Sequence, residues 1–79
     1  MVEPALSDTW KRWRGERQRE LLDGGLPRRL AYRFATGESL ARQRAEFLIG
    51  REAAKSATLL CIEREGGLTF ALKLPAFAT

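Results

Sequence analysis

The apolar positions change their period several times along the chain, and each change marks an element. Leu6, Trp10, Trp13 and Leu21 recur at multiples of three and four residues, with Arg17 interrupting the stripe. That is the spacing of one helix face. Ser7 or Asp8 can cap its start, and Gly24-Gly25 can stop it, so a helix is expected over 8–23 despite Gly15, which costs about 1 kcal/mol relative to alanine. Residues 26–36, LPRRLAYRFAT, carry two patterns. Read as a strand, Leu30, Tyr32, Phe34 and Thr36 share one face and Ala31, Arg33 and Ala35 the other. Read as a helix, Pro27 sits at its first position and Leu30 meets Phe34 across one turn. The alternation is the cleaner pattern, so a strand is expected here.

From Ser39, the N-cap expected after Gly37, the period returns to that of a helix. Leu40, Ala41, Ala45, Leu48, Ile49 and Ala53 form an apolar face with Phe47 at its edge, while Arg42, Glu46 and Arg51 point outward. Gly50 either allows close packing within this helix, 39–53, or ends it early. Residues 57–64, ATLLCIER, form a nearly continuous apolar run, the pattern of a strand covered on both faces. Gly66-Gly67 then suits a tight turn. Leu68, Phe70, Leu72 and Leu74 alternate with Thr69, Ala71 and Lys73, and Pro75 ends the strand. A lone hairpin is marginal, so the helix over 39–53 must cover it. The expected fold is α+β: a leader over 1–6, then a single domain over 7–79 in the order α-β-α-β-β.

Composition narrows what such a domain can do. At 79 residues the chain is one domain with a thin core, since a domain near this size buries only about 60–65% of its unfolded surface. There is no histidine and one cysteine. An internal disulfide is therefore impossible, a common zinc set is absent, and the usual general base at neutral pH is missing. Gly24-Gly25 lacks the GK[ST] ending of a phosphate loop, and no helix follows Gly66-Gly67. Neither an enzyme nor a cofactor is expected. No apolar run approaches the roughly 20 residues of a membrane span, and Met1–Leu6 lacks the basic and apolar regions of a signal peptide. A cytoplasmic protein of a bacterial cell is the expectation, with no membrane partner.

The net charge of +4 is unevenly placed. Residues 10–33 hold eight basic groups (Lys11, Arg12, Arg14, Arg17, Arg19, Arg28, Arg29, Arg33) against Glu16, Glu20 and Asp23, whereas residues 34–79 hold six against five. A basic half of this kind attracts anionic partners, either nucleic acid or an acidic protein face. Arginine supplies eleven of the fourteen cations, which a GC-rich genome would also produce. Within the half, Trp10-Lys11-Arg12-Trp13-Arg14 interleaves rings that can stack bases with cations that can contact phosphates. The plainer alternative makes Trp10 and Trp13 two anchors on the buried face of the first helix. Trp10, Arg12, Trp13, Arg14, Arg17, Arg28, Arg29 and Arg33 are the candidate partner-binding residues, against the alternative that Glu16 and Glu20 pair with Arg12 and Arg19 in a solvated face. Cys61 is either a small buried hydrophobe or a contact between two copies of the chain across an edge strand.

In overall character the chain resembles the small phage-encoded anti-CRISPR proteins: one short, cytoplasmic, motif-free domain. The likeness spans the whole chain and rests on no motif, because that group shares no sequence pattern, and no residue role is transferred from it. The chain departs from the acidic, DNA-mimicking members in being basic. What the resemblance implies is steric blocking of a type I CRISPR surveillance complex, at an acidic subunit face or near its DNA path. The expectation is thus a non-catalytic protein that docks on a protein partner, with a small nucleic-acid-binding regulator as the alternative.

Overall fold

The computed structural model describes residues 5–73. Three helices precede an antiparallel hairpin: α1 (Asp8–Asp23), α2 (Arg28–Ile49), α3 (Arg51–Ser56), β1 (Thr58–Arg64) and β2 (Gly67–Lys73). The class is α+β, and the first helix stands where the apolar stripe places it. Its end is a paired cap: the Leu26 N–H donates to the Leu21 carbonyl at 3.0 Å and the Gly25 N–H to the Leu22 carbonyl at 3.0 Å. Ser7 occupies the N-cap position with extended backbone but makes no side-chain cap.

The strand expected over 30–36 is a helix, so the order is α-α-α-β-β. The alternation of Leu30, Tyr32 and Phe34 lost to a different periodicity. Ala31, Ala35, Ser39 and Arg42 follow one another at three- and four-residue steps and are all buried, a stripe of mostly small side chains that lets α1 approach. Leu30 and Tyr32 stay exposed on the flanks of the helix. Ser39 accordingly caps nothing; it lies within α2, where its hydroxyl donates to the Ala35 carbonyl at 2.7 Å. Gly37 does not interrupt the helix because the Phe70 ring fills the place of its missing side chain, where a Cβ would overlap it. Gly50 ends α2 with a backbone φ of 87°, so the single helix expected over 39–53 is two.

In the hairpin Thr58 pairs with Lys73 and Arg64 with Gly67. The turn is therefore Glu65-Gly66, at φ 51° and 79°, one residue earlier than the glycine pair suggested. Leu68, Phe70 and Leu72 turn toward the helices and Thr69, Ala71 and Lys73 away, in the expected alternation. Phe70 meets Phe34 edge to face, with centroids 5.2 Å apart. The expectation of a first strand covered on both faces fails: the helices cover one side of the hairpin, chiefly through α2 against β2, and Leu60 and Ile62 lie about half exposed on its outer side. The expected Leu74 contact and Pro75 stop lie outside the described residues.

Trp10, Ala45 and Ala54 form the buried centre, with Leu6, Trp13, Ile49 and Leu72 packed around it. The start of the described chain is tied down: the Gln43 amide nitrogen donates to the Ala5 carbonyl at 3.2 Å, and its oxygen accepts from the Ser7 N–H at 2.8 Å. Ala5 and Leu6 are thus held against the helices, and the rest of the leader expected over 1–6 lies outside the described residues. Arg42, expected on the surface, is the largest correction. Its Nε donates to Glu38 at 2.9 Å, and one terminal nitrogen donates to the carbonyls of Ala54, Lys55 and Ala57 at 2.7, 3.1 and 2.9 Å. It closes the C-terminal end of α3, whose last carbonyls lack helical partners. Its guanidinium also lies 5.2 Å from the Trp13 ring centroid.

Candidate partner-binding face

The eight candidate binding residues divide into three groups. Trp10 is fully buried and its indole N–H donates to Glu46 at 2.7 Å, so it leaves the surface set. Trp13 lies half-buried between Trp10, 5.6 Å away between ring centroids, and Arg42. Both rings are anchors of α1, the plainer reading of their spacing. Arg17 is engaged as well. Its Nε donates to Glu38 at 3.0 Å and a terminal nitrogen to Glu20 at 2.9 Å. Partial burial opposes its charge, but the two carboxylates prevail and raise its pKa above the ordinary value.

Arg12 stands apart for a geometric reason. It lies two residues before Arg14, which is about 200° around the helix, so the two point to opposite sides. Arg12 shares the outer face of α1 with Arg19, and neither pairs with Glu16 or Glu20. Arg12 and Arg19 therefore do not join Arg14, Arg28, Arg29 and Arg33.

The remaining members do gather. The Arg14 guanidinium crosses from α1 to lie 5.7 Å from the centroid of the Tyr32 ring on α2. Arg28, one turn before Tyr32, sits on the same side, and Arg29 and Arg33 flank it; all three are exposed. None of these four arginines forms an ion pair among the described residues. The patch therefore holds uncompensated charge around a half-exposed aromatic ring, at the N-terminal end of α2. Cations at a helix N-terminus also oppose the macrodipole, so the fold gains nothing electrostatically by placing Arg28 and Arg29 there.

Beside this patch a groove of ≈ 380 Å³ runs between α2 and β2, lined by Tyr32, Arg33, Thr36, Gly37, Leu40, Leu68 and Phe70. The Thr36 hydroxyl is buried without a hydrogen-bond partner. A second groove of ≈ 360 Å³ lies under β1, where Cys61 and Glu63 face Leu26, Leu30 and Phe34. Cys61 is an exposed free thiol on an edge strand, and not the buried hydrophobe of the plainer reading.

Reading the sequence missed Tyr32, Thr36 and Leu40 as surface features and Glu38, Arg42 and Gln43 as the internal polar framework. A signal existed for one pair: Glu38 and Arg42 are spaced i,i+4, the order that favours a helical ion pair. Among the described residues no group of three His, Cys, Asp or Glu side chains is placed to hold a metal ion, and no helix is long and apolar enough to cross a membrane. Compared with family models, curated proteins and solved structures, the chain matches none.

Proposed function

We infer that the protein is a non-catalytic docking protein that binds an acidic surface of a larger protein assembly through Arg14, Arg28, Arg29, Arg33 and Tyr32. The observation that carries this reading is the contrast between its arginines. Arg17, Arg42 and Arg51 are each paired with a carboxylate of the same chain, whereas these four stand exposed or half-exposed and unpaired side by side. Arginine beside tyrosine is also the composition that dominates binding energy at protein interfaces. The resemblance to anti-CRISPR proteins makes a type I CRISPR surveillance complex the first assembly to test, and a bacterial cytoplasm the place of action.

The test is binding of purified protein to that complex after nuclease treatment. Charge reversal of Arg28, Arg29 and Arg33 should weaken binding by roughly tenfold or more, while reversal of Arg12 and Arg19 should leave it nearly unchanged. No complex, together with no protection of phage, refutes the specific assignment; equal losses from both reversals refute the face.

The second reading, a nucleic-acid-binding regulator, draws on the exposed Tyr32 ring under Arg14. It is weakened by the burial of Trp10 and by the packing of Trp13, which leaves one aromatic ring on this face for stacking. Gel shifts on DNA and RNA would show a salt slope of about 0.7–0.9 per phosphate neutralised. Absence of a shift at low salt removes this reading.

A further inference from the structure

Beyond the arginine patch itself, the hairpin carries unused backbone hydrogen-bonding capacity. A two-residue loop closes on a hydrogen-bonded pair, here Arg64 with Gly67, and such pairs then alternate with pairs that do not bond each other. Leu68, Phe70 and Leu72 fall in the second class. Their N–H and C=O groups point away from β1, along the free edge of β2. None of them finds a backbone or side-chain partner among the described residues. The strand carries no proline and no bulge, and its single lysine, Lys73, sits at the end, so the usual devices that blunt an edge are absent.

That edge is also the wall of the groove beside the arginine patch. The groove contains β2 residues and no β1 residue, which places it on the open side of the sheet. Leu40 and Phe70 supply an apolar floor, Tyr32 one wall, and Arg33 the rim, with Arg29 one turn before it and Arg44 one turn beyond Leu40. The second groove, beside β1, sets Glu63 against Arg33, so a carboxylate already stands next to the arginine there.

We propose that the free edge of β2 accepts an extended, acidic segment of a partner protein as a third strand. The backbone of that segment pairs with Leu68, Phe70 and Leu72. On its helix-facing side, apolar side chains rest on Leu40 and Tyr32 and carboxylates reach Arg29 and Arg33. Main-chain pairing supplies the binding and the alternate side-chain positions supply the selectivity, the general mode of strand addition. Acidic character follows from the rim, where unpaired arginines make a cationic segment unfavourable. The proposal rests on the reading of the arginine patch as a docking face and specifies the form of the docked segment.

The probe is a labelled, end-blocked heptapeptide whose alternate, helix-facing positions carry valine and glutamate and whose outward positions carry threonine, titrated against the whole protein. Controls are the counterpart with lysine in place of glutamate and the same peptide N-methylated at alternate amides, which cannot add to an edge. The expected result is binding weakened roughly tenfold or more by either change, and by Arg29→Glu with Arg33→Glu. Amide shifts should concentrate at Leu68, Phe70 and Leu72. Tyr32→Glu, at an exposed position, and Leu40→Glu should each abolish peptide binding, with folding checked by tryptophan fluorescence. Equal affinity for the N-methylated peptide, shifts confined to Leu59, Cys61 and Glu63, a self-associated chain that excludes the peptide, preferential binding of a uridine oligonucleotide in the groove, or no binding at millimolar peptide overturns the proposal. Failure of the parent reading looks different. If an assembly still binds in a manner sensitive to Arg28 but indifferent to Leu40→Glu, the face stands and strand addition falls. If reversal at Arg28, Arg29 and Arg33 has no effect on the assembly, both fall.

Discussion

Replacing Arg42 with methionine should destabilise the protein more than the loss of any surface arginine, by about 3 kcal/mol. The side chain is 7% exposed and its partner Glu38 3% exposed, so no water waits to replace what is lost. Removing one member of a buried pair costs about 3–5 kcal/mol because the other charge is stranded. Two features set the figure within that range. Arg17 still holds Glu38 at 3.0 Å, which keeps its charge from being wholly unpaired and favours the lower end. Against this, the carbonyls of Ala54, Lys55 and Ala57 lose their shared donor, and the end of α3 has no other cap of this kind. A domain of this length has a total stability of only about 4–12 kcal/mol, so the variant keeps a fraction of it. Urea unfolding followed by tryptophan fluorescence reads this directly, because Arg42 lies over the Trp13 ring. The melting temperature should fall by roughly 12–24 °C. Methionine keeps the stem and its packing, so the loss reports the guanidinium and not a cavity. The companion variant Glu38→Gln with Arg42→Met should recover part of the loss by removing the stranded charge. A change below about 1 kcal/mol for Arg42→Met would refute the role of Arg42 and Glu38 as a buried polar framework.

Two further expectations test separate parts of the architecture. Gly37→Ala should lower stability by about 1 kcal/mol or more although alanine is the better helix former by about that amount, because its Cβ overlaps the Phe70 ring that docks the hairpin; a gain in stability would show that the hairpin does not sit there. Glu46 accepts hydrogen bonds from Trp10 and Arg51, which hold its pKa below the ordinary carboxylate value, so its stabilisation is present above about pH 4.3 and fades as the pH falls through the folded-state value. Glu46→Gln should flatten the acid limb of a pH–stability profile measured by urea midpoints, and an unchanged limb would remove Glu46 as its source.

The local features were legible because their causes lie within a few residues of one another. The stripe of Leu6, Trp10 and Trp13, the glycine stop, the alternation of Leu68, Phe70 and Leu72 and the hairpin turn each follow from backbone period and turn chemistry. The α+β class followed from them. The concentration of charge in residues 10–33 was plain as well, since it needs only counting.

What the tertiary structure decided depends on partners distant along the chain. Residues 30–36 satisfy a strand period as well as a helical one, and burial of Ala31 and Ala35 against α1 chose between them. Arg42 reads as a surface residue until α3 turns back and presents its carbonyls. Arg17 reads as part of a binding patch until Glu38, 21 positions away, takes it up. The basic half seen in the sequence is thus sorted by the fold into Arg17, which ties α1 to α2, Arg12 and Arg19 on the outer face of α1, and a small unpaired set gathered beside an open strand edge. Local sequence specifies period and charge, but which charges remain uncompensated is set by where the chain brings its carboxylates and carbonyls.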